Sequence, residues 1–129
     1  ICVMVDRSSA RSRAEVYKRC AERMAEGDSI VIFPEGGVPD DSNVVLDQFK
    51  DGAFKLAVET QSPILPVTII KNWEILPDNG KFRFRPGRVI QYVHAPISTV
   101  GLTDDDIPAL KTHVHQLITN KLAEYGYKQ

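Results

Sequence analysis

The sequence predicts an α/β fold, with a mixed, largely parallel sheet flanked by helices and an antiparallel carboxyl-terminal part. The apolar run Ile-Val-Ile-Phe at residues 30–33 has no polar face, as expected of a central strand covered by helices on both sides. A helical pattern separates it from another apolar run at residues 1–5, which makes a βαβ unit. Apolar and alternating runs joined by turn residues follow residue 63, and these indicate antiparallel pairing.

Length and composition limit the class of protein. The 129 residues fit one domain over residues 1–129, and a net charge of -1 argues against a nucleic-acid partner. No apolar run approaches the roughly 18–20 residues of a membrane span. Cys2 and Cys20 lack a C-x-x-C spacing, so we expect buried thiols and not a disulfide or a zinc site.

The first helix is predicted from its end signals. Ser12 and Glu15 have the spacing of a capping box, apolar residues then recur at helical spacing, and Gly27 ends the run. With the strand at residues 1–5 before it and the strand at residues 30–33 after it, the chain reads strand, helix, strand.

The loop after residue 33 is the first candidate for a site. Pro34 ends the strand, and Glu35, Gly36 and Gly37 follow at its carboxyl end, where open α/β sheets bind ligands. The loop extends to residue 48, a length typical of loops that form or cover sites. The residues alone fit equally well an ordinary connecting loop, in which proline and glycine only form turns.

Carboxylates in this loop raise the question of a metal. Asp40, Asp41 and Asp47 lack the regular spacing of a calcium loop, and no histidine is near them in the sequence. We therefore expect no metal site.

Lys50 precedes the second predicted helix. A cation at that place would suit a phosphate bound to the free backbone N–H groups of the first turn. The alternative, a solvated lysine, also fits the residues. Downstream, Pro66 interrupts the apolar run at residues 64–70, which implies an edge, a bulge or a functional kink.

The carboxyl-terminal part contains a predicted hairpin and a last helix. Asp-Asn-Gly at residues 78–80 is a turn signal before the alternating residues 82–85, and a further strand covers residues 89–93. Thr103 and Asp106 resemble a capping box that opens the helix. His113 and His115 are two residues apart, so they do not share a helical face, and we expect both at the surface or its boundary.

Four short segments occur in a fixed order. They read Val-Met-Val-Asp-Arg at residues 3–7, Phe-Pro-Glu-Gly at 33–36, Phe-Lys-Asp-Gly at 49–52 and Ile-Leu-Pro-Val at 64–67. In that order they resemble conserved stretches of the glycerolipid acyltransferases, specifically of the 1-acylglycerol-3-phosphate acyltransferase family. The resemblance covers residues 1 to about 97.

This resemblance implies an activity and its participants. A fatty acyl group would move from acyl-CoA or acyl-carrier protein to the hydroxyl of 1-acylglycerol-3-phosphate in phospholipid synthesis, with no cofactor beyond the thioester donor. The enzyme would act at the cytoplasmic face of a membrane, reached through a part not in this sequence. The motif matches assign substrate-binding roles to Arg7, Glu35, Gly36, Lys50 and Pro66. The oligomeric state stays open.

Two departures from the family pattern matter. The family's His-x-x-x-x-Asp motif is missing, because the residues five positions after the three histidines are Thr99, Ile118 and Asn120. We therefore expect no catalytic residue in this chain, a partial domain whose amino-terminal portion is absent, and no activity for this piece alone. Gly37-Val38 also replaces the usual Thr-Arg, which leaves Arg7 and Lys50 as the matched cations.

Two alternatives follow from these departures. The chain could be a non-catalytic module that binds a phosphate or lipid headgroup on the same scaffold. It could also belong to an acyltransferase with a different hydroxyl or amine acceptor.

Overall fold

The computed structural model describes residues 10–37, 44–75 and 84–127. These ranges contain both helices and strands, which confirms a fold of mixed helix and strand. In chain order the elements are α1 (Ala10–Ala25), α2 (Gly52–Glu59), β1 (Val67–Ile70), the single-turn α3 (Asn72–Ile75), β2 (Ile90–Val93), a 3-10 turn (Asp104–Asp106) and α4 (Ile107–Glu124).

Helix α1 starts earlier than predicted. It begins at Ala10, so Ser12 lies inside the helix and the predicted capping-box start is wrong. Its end agrees with prediction, because Gly27 has a φ of +94° and its backbone N–H donates to the carbonyl of Met24 at 3.0 Å. The Tyr17 hydroxyl donates to Glu59, which ties α1 to the end of α2.

The sheet confirms the predicted antiparallel carboxyl-terminal part. β1 pairs with β2 from Val67↔Val93 to Ile70↔Ile90. A separate bridge, Ile64↔Ile97, is out of register with this ladder by one residue. The predicted interruption at Pro66 is therefore a local register shift, as in a β-bulge, with the extra residue on the strand opposite the proline.

The parallel part of the predicted sheet stays a prediction. Residues 30–33 pair with no other strand within the described ranges, and the side chains of Val31 and Phe33 are 84% and 70% exposed. Their predicted neighbour, the strand at residues 1–5, lies outside the described residues, as do Asp40, Asp41 and the turn at residues 78–80.

The core lies between α2, α4 and β1. It includes side chains from the loop that precedes α2, so that loop is anchored by apolar burial. The buried members are Leu46, Phe49, Phe54, Val58, Ile70, Ile107, Leu110, Val114 and Leu122. The last four of these residues lie on α4, which therefore packs one apolar face against the core.

The start of α4 also agrees with the sequence. The backbone N–H and the hydroxyl of Thr103 both donate to Oδ2 of Asp106, at 2.8 and 3.0 Å. Cys20 is buried, as predicted, and burial raises the pKa of its thiol. No helix within the described ranges is both long enough and apolar enough to cross a membrane.

Candidate functional site

The Phe-Pro-Glu-Gly segment forms a tight turn. The backbone N–H of Gly36 donates to the carbonyl of Phe33 at 3.1 Å, which places Pro34 second and Gly36 fourth in the turn. Proline and glycine are favoured at those positions. Gly36 has a φ of +73°, a left-handed conformation that glycine adopts without the strain a Cβ brings.

Lys50 lies across this turn. Its backbone N–H donates to the carbonyl of Pro34 at 2.9 Å. A Cβ added to Gly36 would lie 3.0 Å from Cδ and 3.2 Å from Nζ of Lys50. The backbone conformation therefore favours glycine at position 36, and a larger residue there would displace the lysine side chain.

Glu35 fastens the turn to the loop that returns to α2. Its Oε2 accepts a hydrogen bond of 2.8 Å from the backbone N–H of Asp47. The structure thus brings together Glu35, Gly36 and Lys50, three of the five residues that the sequence predicts for substrate binding.

One face of α4 supports the segment that carries Lys50. Lys111 pairs with Asp51 at 2.5 Å, and Nε2 of His115 lies 3.2 Å from the carbonyl oxygen of Asp47. Lys111 and His115 are four residues apart and so share a helical face. Because a carbonyl oxygen only accepts, Nε2 of His115 carries a proton in this contact.

His115 is held in turn from two sides. Its Nδ1 lies 3.3 Å from the hydroxyl of Thr119, one turn further along α4. The ring of Phe49 meets the imidazole edge to face, with 4.8 Å between the centroids. This role of His115 was not predicted, although the spacing of residues 111, 115 and 119 indicates a shared helical face.

Lys50 has no charged partner among the described residues. It is exposed and forms no salt bridge with any residue of the described ranges, whereas the charge of neighbouring Asp51 is matched by Lys111. The side chain of Asp51, the N-cap residue of α2, makes no hydrogen bond to the N–H groups of the first turn. An ammonium beside such N–H groups is an arrangement suited to a phosphate.

Pro66 makes its backbone contact with a different segment. It is buried, and its carbonyl accepts a hydrogen bond of 3.0 Å from the backbone N–H of His94. No hydrogen bond joins it to the turn or to Lys50 within the described residues. Arg7, the remaining predicted site residue, lies outside the described ranges.

His94 forms a second contact with the strand that Pro66 precedes. Its Nε2 lies 2.9 Å from the hydroxyl of Thr68, which is fully buried. Burial lowers the pKa of His94, the charge of Lys121 lowers it further, and Glu124 opposes both. His94 and His115 therefore contact a hydroxyl and a carbonyl, and neither has a carboxylate partner in the described part of the chain.

A comparison with known protein families identifies the class of protein. A family model described as Acyltransferase matches residues 1–70, more than half of the chain, and this match includes the turn and Lys50. The chain belongs to the acyltransferase family.

Proteins with similar sequences carry acyltransferase names. The 1-acyl-sn-glycerol-3-phosphate acyltransferase alpha of Mus musculus is 35% identical over 120 residues, which cover 91% of this chain and 41% of that protein. The chloroplastic 1-acyl-sn-glycerol-3-phosphate acyltransferase BAT2 of Brassica napus is 35% identical over 95 residues, 74% of this chain and 27% of that protein. The chain thus spans less than half the length of these relatives.

A solved structure shows the same fold. The 1-acyl-sn-glycerophosphate acyltransferase PlsC from Thermotoga maritima superimposes with a TM-score of 0.70 at 26% identity, over 88% of this chain and 45% of that chain.

In the part of the chain that the structure describes, no group of three or more His, Cys, Asp or Glu could hold a metal ion.

Proposed function

We propose that the protein transfers a fatty acyl group from an acyl-CoA or acyl-carrier-protein thioester to the hydroxyl of 1-acylglycerol-3-phosphate, at the cytoplasmic face of a membrane. Membership of the acyltransferase family and the names of the relatives support the reaction. The observation that carries the acceptor assignment is Lys50, which forms no salt bridge with a described residue and lies over Gly36 just before α2, where the N-cap Asp51 makes no side-chain capping hydrogen bond.

Acyl transfer from a thioester needs three things. The acceptor hydroxyl must lose its proton as it attacks, the oxyanion must meet hydrogen-bond donors, and the acceptor must be held in position. This chain serves the third need. Lys50 and the first N–H groups of α2 bind the acceptor's phosphate, and Gly36 lets the backbone and the lysine approach it.

Arg7 is proposed as the second cation of this phosphate site. If residues 1–5 lie parallel to residues 30–33, the carboxyl ends of both strands meet at one edge of the sheet. Arg7 would then follow one strand at the edge where Glu35 follows the other. Pro66 shapes the backbone of the strand next in sequence, and Gly37-Val38 adds no charge, so Lys50 and Arg7 carry the phosphate between them.

The general base is assigned to the His-x-x-x-x-Asp motif, which this sequence does not contain. A histidine oriented by an aspartate has a pKa near neutrality and can accept the hydroxyl proton. We therefore expect the 129-residue chain alone to be inactive.

The test compares two lysines in the protein expressed from its complete reading frame. Lys50→Gln removes the proposed ligand, and Lys55→Gln removes an exposed lysine of α2 that pairs with Glu59 at 3.7 Å. Acceptors are lysophosphatidate and the monoacylglycerol that lacks its phosphate. We expect Lys50→Gln to raise the KM for lysophosphatidate about tenfold, and to reduce the preference for the phosphorylated acceptor, because a charged hydrogen bond is lost.

Several results would contradict the proposal. An unchanged KM in both Lys50→Gln and Arg7→Ala would remove both cations from the phosphate role. Equal effects of Lys50→Gln and Lys55→Gln would indicate a general charge effect. Phosphate binding without turnover by the complete protein would favour the non-catalytic module, and turnover by the 129-residue chain alone would overturn the assignment of the base.

A further inference from the structure

A polar cleft lies at the end of β1 opposite Pro66. Its volume is about 550 Å³, within the range of small-molecule sites. Lys71, Glu74 and Ile75 line one side, and Arg85, Gly87 and Arg88 line the other. Residues of the candidate site described above take no part in it.

The two sides of the cleft are fixed to each other. The backbone N–H of Arg85 donates to the carbonyl of Ile75 at 2.9 Å. A Cβ added to Gly87 would lie 3.1 Å from Cγ1 of Ile75, so this glycine allows the loop to approach α3 closely. Arg85 and Arg88 are therefore held on a loop that packs against α3.

The described residues that line the cleft carry more positive than negative charge. They include three cations and one carboxylate, in a chain whose net charge is -1. Lys71, Arg85 and Arg88 form no salt bridge with any described residue. Glu74 instead accepts a hydrogen bond of 2.8 Å from the hydroxyl of Tyr127. An anion bound in the cleft would be attracted by all three cations.

Lys71 also has an unusual backbone. Its φ of +71° lies in the left-handed region, where glycine and asparagine are preferred over lysine. Strained positions of this kind concentrate at ligand sites, because the structure around them holds a side chain where it is needed. The strain places a positive charge at the junction of β1 and α3.

We propose that this cleft is a second phosphate-binding site, separate from the one at Lys50. Two guanidinium groups can each hold phosphate oxygens in bidentate pairs, and the lysine adds a point charge. The phosphate belongs either to a soluble nucleotide-type ligand or to the headgroup of an anionic lipid. Both present the same chemistry to the cleft.

Binding measurements on the protein expressed from its complete reading frame test this proposal without relying on turnover. The probes are inorganic phosphate, adenosine 3′,5′-bisphosphate, and phosphatidylcholine vesicles with and without phosphatidic acid. Arg85→Gln with Arg88→Gln neutralises the cleft. Lys18→Gln with Arg19→Gln removes the same charge from α1, where both side chains are well exposed, and is the control.

We expect the cleft variant to weaken one class of phosphate site about tenfold, with the control unchanged, because hydrogen bonds to a charged ligand are lost. Lys71→Asn should weaken the same site without lowering the urea midpoint, since asparagine tolerates the left-handed backbone. This second variant keeps the test valid if the double variant does not fold.

The probes separate the two sources of phosphate. If the cleft variants lose binding of adenosine 3′,5′-bisphosphate only, the ligand is soluble. If they lose binding of the phosphatidic acid vesicles only, the ligand is a lipid headgroup. Wild-type binding of all three probes by both cleft variants would overturn the proposal, as would an equal loss in the α1 control. Lys50→Gln should leave the cleft intact, so failure of the acceptor assignment and failure of this one give different results.

Discussion

Gly36 has a left-handed backbone and lies close to the side chain of Lys50. Together these two features give the sharpest prediction, which concerns Gly36→Ala. A left-handed conformation costs an alanine roughly 1–2 kcal/mol. The new Cβ would also lie 3.0 Å from Cδ of Lys50, closer than a relaxed carbon–carbon contact of about 3.5 Å. Because Lys50 is exposed and flexible, we expect it to move away. The phosphate site then loses its cation at little further cost in stability.

A second glycine provides a matched control. Gly101 has a φ of +81°, and a Cβ there would meet no atom within 4 Å. Gly101→Ala therefore introduces the backbone strain without the contact. Both variants should lower the free energy of unfolding in urea by roughly 1–2 kcal/mol. Only Gly36→Ala should raise the KM for lysophosphatidate, by about tenfold, the loss expected when a charged hydrogen bond is broken.

Two outcomes would refute this reasoning. If Gly36→Ala keeps the wild-type KM while it loses stability, the approach of Lys50 to the turn plays no part in acceptor binding. If Gly101→Ala raises the KM to the same extent, the effect comes from general destabilisation and not from the lysine.

Three further predictions concern the framework around the site. Thr99→Val should lower the free energy of unfolding by roughly 1 kcal/mol, because its buried hydroxyl lies 2.9 and 3.1 Å from two backbone carbonyls; an unchanged urea midpoint would contradict this. His115→Ala should raise the acceptor KM by a larger factor than it lowers kcat, because the carbonyl of Asp47 loses its hydrogen bond to α4. His113 is exposed, so His113→Ala should change neither constant. Burial lowers the pKa of His94, so the unfolded chain binds its proton at higher pH than the folded one. The urea midpoint should therefore fall as pH drops below about 6.5 and level off below the folded pKa, and His94→Gln should flatten this slope.

The turn at residues 33–36 could be predicted from the sequence because its determinants are local. Proline and glycine specify the turn through their own backbone preferences, and the position after an apolar run marks a possible ligand edge. The capping pair Thr103 and Asp106 is local in the same way and was predicted correctly. Such features depend on a few neighbouring residues and not on the rest of the fold.

The support from α4 could not be predicted, because its partners are far apart in the sequence. His115 and Asp47 are separated by 68 positions, and Lys111 and Asp51 by 60. Only the docking of α4 on the core brings them together. The register shift beside Pro66 is similar, since proline signals an interruption but not which strand carries the extra residue. The start of α1 was wrong because Ser12 and Glu15 also fit a helix interior.

The contacts from α4 have a consequence for the order in which the protein assembles. Closing a loop of 60 or more residues costs chain entropy, and contacts that need such closure slow folding when they form part of its rate-limiting step. The turn at residues 33–36 and the bond from Lys50 to Pro34 join residues that are near in the sequence, but the support from α4 is added only after this helix, made later in synthesis, has docked. A nascent chain that has not yet produced α4 would therefore hold the motif residues without that support.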